Sequence, residues 1–107
     1  MDLHALAEER SLAYHREVAA RLAGRPELIS VARRRAEEWA SQGEGHAPYA
    51  KEWLRVLAGT IDEIAAQLID PSERGRALRQ ASPFSGALDP RERWKLWRDV
   101  RARWESA

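Results

Sequence analysis

Apolar residues return every three or four positions along almost the whole chain, a spacing that lines up one face of an α-helix and scrambles any strand. Leu3, Ala7, Ser11, Tyr14, Val18 and Leu22 mark the stripe of a long first helix, which Gly24 and Pro26 end. Leu28, Ala32, Ala36 and Trp39 form the inner face of a second helix. Tyr49, Trp53, Val56 and Leu57 form that of a third, and Ile61, Ile64, Ala65 and Leu68 that of a fourth. No alternating strand pattern of useful length and no Asn-Gly or Asp-Gly hairpin turn interrupts them. The pattern predicts an all-α fold, a compact single-domain bundle of five or six short-to-medium helices, and 107 residues suit one domain with a modest core. The expected organisation is a helical hairpin over 2–42, a loop at 43–48 rich in glycine and proline, helices over 49–81, a connection at 82–89 and a last helix over 90–105.

Helix starts are written twice in nearly the same letters. Asp70-Pro71-Ser72-Glu73-Arg74 returns as Asp89-Pro90-Arg91-Glu92-Arg93. In both, Asp is placed to cap free backbone N–H groups, Pro occupies the first helical position where its missing N–H costs nothing, and Glu completes a capping box. The first copy predicts a helix from about Pro71 to Ala81, and Thr60 with Glu63 predicts another box upstream. Between the copies, Ser82 precedes Pro83 and so leaves the helical region, and Gly86 permits a backbone angle that other residues avoid. Phe84, the only Phe, is placed to plug a core or a partner pocket.

Composition removes whole classes of function. Without cysteine there is no disulfide scaffold, thiol catalysis or cysteine-ligated zinc. No stretch is apolar enough to span a membrane, and the first residues lack the pattern of a signal peptide, so a cytoplasmic location with no membrane partner is expected. Net charge is +1, but residues 1–70 hold 9 Lys/Arg against 12 Asp/Glu and residues 71–107 hold 9 against 5. An acidic partner would feel the second part. Arg33, Arg34 and Arg35 lie opposite Glu37 and Glu38 at three- to four-residue spacing, which predicts surface pairing along the second helix.

Chemistry finds little purchase. His4, His15 and His46 are too far apart to share a metal at helical spacing, and no Gly-rich phosphate loop or nucleophile elbow occurs, so no metal, cofactor or catalytic residue is assigned. His4 and His15 fall at the polar edge of the first helix and are expected to face solvent. Arg10-Ser11-Leu12-Ala13-Tyr14-His15 resembles the Arg and His motif of HEPN ribonucleases, in which the imidazole would act as acid or base and the Arg would hold a phosphate. Thr60 to Leu68 is similar to the first helix of a helix-turn-helix, which would put Arg74, Arg76 and Arg79 on a DNA-recognition helix. Ile69-Asp70-Pro71 in place of a tight turn, and Gly75 inside that helix, count against it.

Five Trp in 107 residues is the remaining signal. Trp39 and Trp53 hold core-like positions. Trp94, Trp97 and Trp104 lie on one Arg-rich helix, where either the stripe closes the monomer core or some rings meet another chain. Trp and Arg together are the residues enriched where proteins recognise one another. Arg79-Gln80, Ser82-Pro83-Phe84, Gly86, Leu88 and Glu92-Arg93-Trp94 also resemble the C-terminal block of small bacterial all-helical proteins, some of them antitoxin-like. That resemblance implies a protein partner, a toxin or effector, and no catalytic residue. The expectation is a non-enzymatic binding module that contacts its partner, or its own copy, through Arg76, Arg79, Phe84, Trp94, Trp97, Arg98, Arg101 and Trp104. A DNA-binding regulator stands second and a HEPN-like ribonuclease third.

Overall fold

The computed structural model of the chain describes residues 2–42 and 47–106. Six helices follow one another: α1 (Leu3–Arg21), α2 (Glu27–Ser41), α3 (Ala47–Leu57), α4 (Ile61–Leu68), α5 (Glu73–Gln80) and α6 (Pro90–Ser106). Among the described residues there is no strand, and no helix is long and apolar enough to cross a membrane. The all-α expectation holds. Of the loop expected at 43–48, residues 43–46 lie outside the described residues, and α3 already starts at Ala47.

α1 is the hub, packed against α4, α5 and α6, while α2 pairs most closely with α3. The hairpin expected of residues 2–42 is therefore not the main pairing of α2. Ala32 and Ala36 on α2 and Ala50 on α3 are fully buried, and side chains this small let two helix backbones approach closely. Between these layers lies one core, built from Tyr14, Val18, Leu22, Leu28, Trp53, Leu57, Ile64, Leu68, Leu78, Phe84 and Leu88 among others. Trp53 and Phe84 meet edge to face at its centre, ring centroids 6.0 Å apart. The indole N–H of Trp53 donates to the Leu78 carbonyl near the end of α5, so a large buried ring leaves no polar atom unpaired.

Two of the three expected capping boxes form. The Thr60 hydroxyl accepts from Glu63 N and the Glu63 carboxylate accepts from Thr60 N, while Asp89 and Glu92 exchange the same pair of bonds at the head of α6. The first Asp-Pro copy behaves differently. The Asp70 carboxylate accepts from Ser72 N, and Ser72 is itself the cap, its hydroxyl accepting from Gly75 N, so α5 starts at Glu73 and not at Pro71. The sequence difference is the residue after Pro: Ser72 supplies a capping hydroxyl that Arg91 cannot. Gly86 adopts the positive φ expected of it, at 84°.

Gly75 is no flaw in α5. A Cβ at this position would sit 2.2 Å from the Asp70 carbonyl oxygen, so α5 can bend back over the end of α4 only where no side chain exists. Helix propensity alone favours Gly75→Ala by about 1 kcal/mol. The close approach reverses the sign: overpacking of this kind costs about 1–3 kcal/mol, and net destabilisation is expected in chemical denaturation of the variant. An unchanged or raised midpoint would show that the α4–α5 corner is looser than described.

Candidate functional site

The expected partner-binding residues separate into two groups once placed. Phe84 is 2% exposed in the middle of the core, and Arg79 is 6% exposed. Neither can meet a partner without unfolding part of the chain, so both leave the proposed surface. The Arg79 guanidinium donates to the carbonyls of Leu68 and Asp70, at 3.3 and 2.6 Å, where α4 ends and its last carbonyls have no helical partner. It is a helix cap made by a side chain from the next helix. Arg76 is exposed and lies 3.8 Å from Glu8 of α1, and Arg74 meets Glu52 of α3. The arginines that a helix-turn-helix would aim at DNA are thus turned to other parts of the same molecule.

The remaining five residues belong to α6, and they divide by face. α6 lies along α1, and only Val100 is fully buried from it, with Leu96, Trp97 and Trp104 half-buried. Trp94 is 62% exposed, and Arg91, Arg98 and Arg101 are exposed with it at three- and four-residue spacing. Of these, Arg101 pairs with Glu105 one turn on. The aromatic stripe therefore answers both ways: Trp97 and Trp104 face the monomer, and Trp94 faces away.

On the inner side, α1, the start of the 82–89 connection and α6 enclose a cleft of about 400 Å3. Trp97 forms one wall. The guanidinium carbons of Arg10 and Arg93 lie 5.8 and 5.5 Å from its ring centroid, within cation–π range. At the floor sits His15, expected at a solvent-facing edge and found 3% exposed. Helix α6 and the 82–89 connection cover the edge of α1 that the sequence read as polar, which is why the expectation failed.

Burial keeps this imidazole neutral, and the geometry then fixes its tautomer. His15 Nδ1 lies 2.7 Å from the Ser11 carbonyl, which can only accept, so Nδ1 carries the proton; Nε2 then accepts from the Ser82 hydroxyl at 2.7 Å. The Ser82 oxygen also accepts from Phe84 N. A hydroxyl, an imidazole and a carbonyl in line have the shape of an activated nucleophile. Here all three are committed to each other, and the effect is to pin the connection onto α1. The acid–base role that the HEPN resemblance gave His15 needs an imidazole open to substrate, and both ring nitrogens are already engaged.

Family models, curated proteins and solved structures yield no match to this chain.

Burial, opposed in part by the bond to Ser11 and helped by the nearby charge of Arg79, pushes the His15 pKa down from 6.5 to about 4. Below pH 6.5 the unfolded chain takes up a proton that the folded chain refuses. The stability linked to this group is complete above that pH and is lost as pH falls toward 4, in total about 3 kcal/mol. Denaturation midpoints are expected to fall over this window and to lose most of that slope in His15→Gln. In the unaltered protein, the His15 ring resonances should titrate near pH 4; an inflection near the ordinary value would mean the imidazole is open to water.

Proposed function

We propose that the chain is a non-enzymatic binding module that docks a protein partner with an acidic, apolar-centred surface on the outer face of α6. One observation carries the reading. Trp94 stands 62% exposed among Arg91, Arg98 and Arg101, on a helix whose packing lies along α1. A ring 62% exposed adds little to the folding of its own chain, yet buried under a partner it offers the area and rigidity of a binding hot spot. The charge around it sets the partner's sign: from Pro90 to Ser106 there are six basic and three acidic residues.

Masking a toxin or effector, the antitoxin-like role implied by the resemblance of the C-terminal block, is the form of this reading we favour. Neutralisation would be by occlusion, with Trp94 seated in the partner and the guanidinium groups engaging carboxylates near its active site. Regulation through DNA gathers less support, because Arg79 is buried and Arg74 and Arg76 face carboxylates of α3 and α1.

The partner to try first is the product of the neighbouring gene, co-expressed with this chain. Copurification of the pair and relief of any growth arrest are the expected results. Trp94→Ala with Arg98→Glu should weaken the complex at least about thirtyfold. Because both side chains are exposed, the melting temperature should move by less than about 4 °C. Full affinity in the double variant would overturn this face as the contact. A concentration-dependent dimer that the same substitutions dissolve would make the partner a second copy of the chain.

A further inference from the structure

The cleft on the inner side of α6 gathers positive charge. Arg10 and Arg93 both lie over one indole ring and line the cleft, and among the described residues neither has a carboxylate within 4.0 Å. No acidic residue lines the cleft, and Arg79 adds a third positive charge at its wall. A negative group entering this cleft would therefore meet positive charge that no carboxylate in the lining offsets. Nε of Arg10 is, in addition, buried with no hydrogen-bond partner.

We infer that this cleft is a binding site for a compact organic oxyanion, a phosphate monoester or a carboxylate, held between the guanidinium groups of Arg10 and Arg93. Arginine suits the task because its planar fork donates two parallel hydrogen bonds to either group. Both guanidinium groups lie within cation–π range of Trp97, and both residues line the cleft. A volume of about 400 Å3 admits a ligand of one or two rings, for which Ala7 and the Trp97 ring offer apolar wall. Ser85, exposed at the same cleft, adds a hydroxyl. The site is separate from the proposed partner face: Arg93 and Trp97 lie on the α1 side of α6, and Trp94, Arg98 and Arg101 on the other.

Three probes distinguish the sources of the oxyanion: inorganic phosphate, phenyl phosphate and benzoate, each titrated by calorimetry at low ionic strength. Saturable binding is expected for at least one of the organic probes, tighter than for inorganic phosphate, and the stronger of the two names the natural group. Arg10→Gln and Arg93→Gln should each weaken it about tenfold, and Arg34→Gln, on the exposed side of α2, should not. A second readout avoids dependence on the variants' folding. In the unaltered protein the Arg10 Nε–H and Trp97 indole N–H resonances should shift along the same titration curve. No saturable binding by any probe, binding that both Gln variants retain, or shifts confined to other residues would each overturn the site.

Discussion

Tyr14 holds the fold at its least regular point. Its hydroxyl donates to the Phe84 carbonyl at 2.7 Å and accepts from Ala87 N at 3.1 Å, stitching the 82–89 connection to the middle of α1. That connection is not a surface loop. Pro83, Phe84 and Leu88 are buried, so its backbone groups enter the interior without a helix to pair them, and each one left unpaired would cost as much as a lost hydrogen bond. Side chains supply the partners instead. The Ser82 hydroxyl, held by His15, accepts from Phe84 N, and Arg35 donates to the carbonyls of Pro83 and Ser85. The connection brings Phe84 against Trp53 and delivers Leu88 to the point where α6 turns back along α1. Core, corner and C-terminal helix all depend on these few bonds.

Arginine does much of this work, and its roles sort by what each guanidinium finds. Arg33 donates to the Leu57 carbonyl at the end of α3, and Arg79 to the carbonyls that close α4. In a bundle of short helices, free carbonyls are frequent relative to length, and a long cationic side chain from a neighbouring helix satisfies them with a favourable charge–dipole interaction as well. Once these caps and the ion pairs of Arg21, Arg74 and Arg76 are in place, the arginines that remain without an internal acceptor are concentrated on α6 and at its junction with α1.

The helices were legible because a buried stripe at 3.6-residue spacing and a cap are both local facts. Thr60 with Glu63, Asp89 with Glu92, and Gly86 could be assigned from a few neighbouring letters. The partners of polar residues were not, because they come from distant segments. Arg33, Arg34 and Arg35 looked like a surface run facing Glu37 and Glu38, yet Arg33 and Arg35 reach 24 and about 50 residues along the chain to backbone carbonyls. His15 looked solvent-facing because α6, which helps to cover it, is some 80 residues away in sequence. Gly75 looked like a weak helix position, and only the approach of Asp70 gives it a reason. For the candidate site, the Trp and Arg content of α6 was visible in the letters. Which rings face in and which face out was not, since Trp94 and Trp97 differ by less than one turn.

That difference of face is where the functional argument rests. A helix attached along one stripe needs only that stripe to stay in place, and α6 has it in Leu96, Trp97, Val100 and Trp104, with the Arg21–Glu92 pair near its start. Its outer positions are free of the fold. Charged residues there would serve solubility by themselves, and most of the outer positions carry them. Trp94 does the opposite, adding apolar area where the chain gains nothing from it. The proposed partner face rests on that one ring, which the packing of α6 along α1 leaves mostly uncovered.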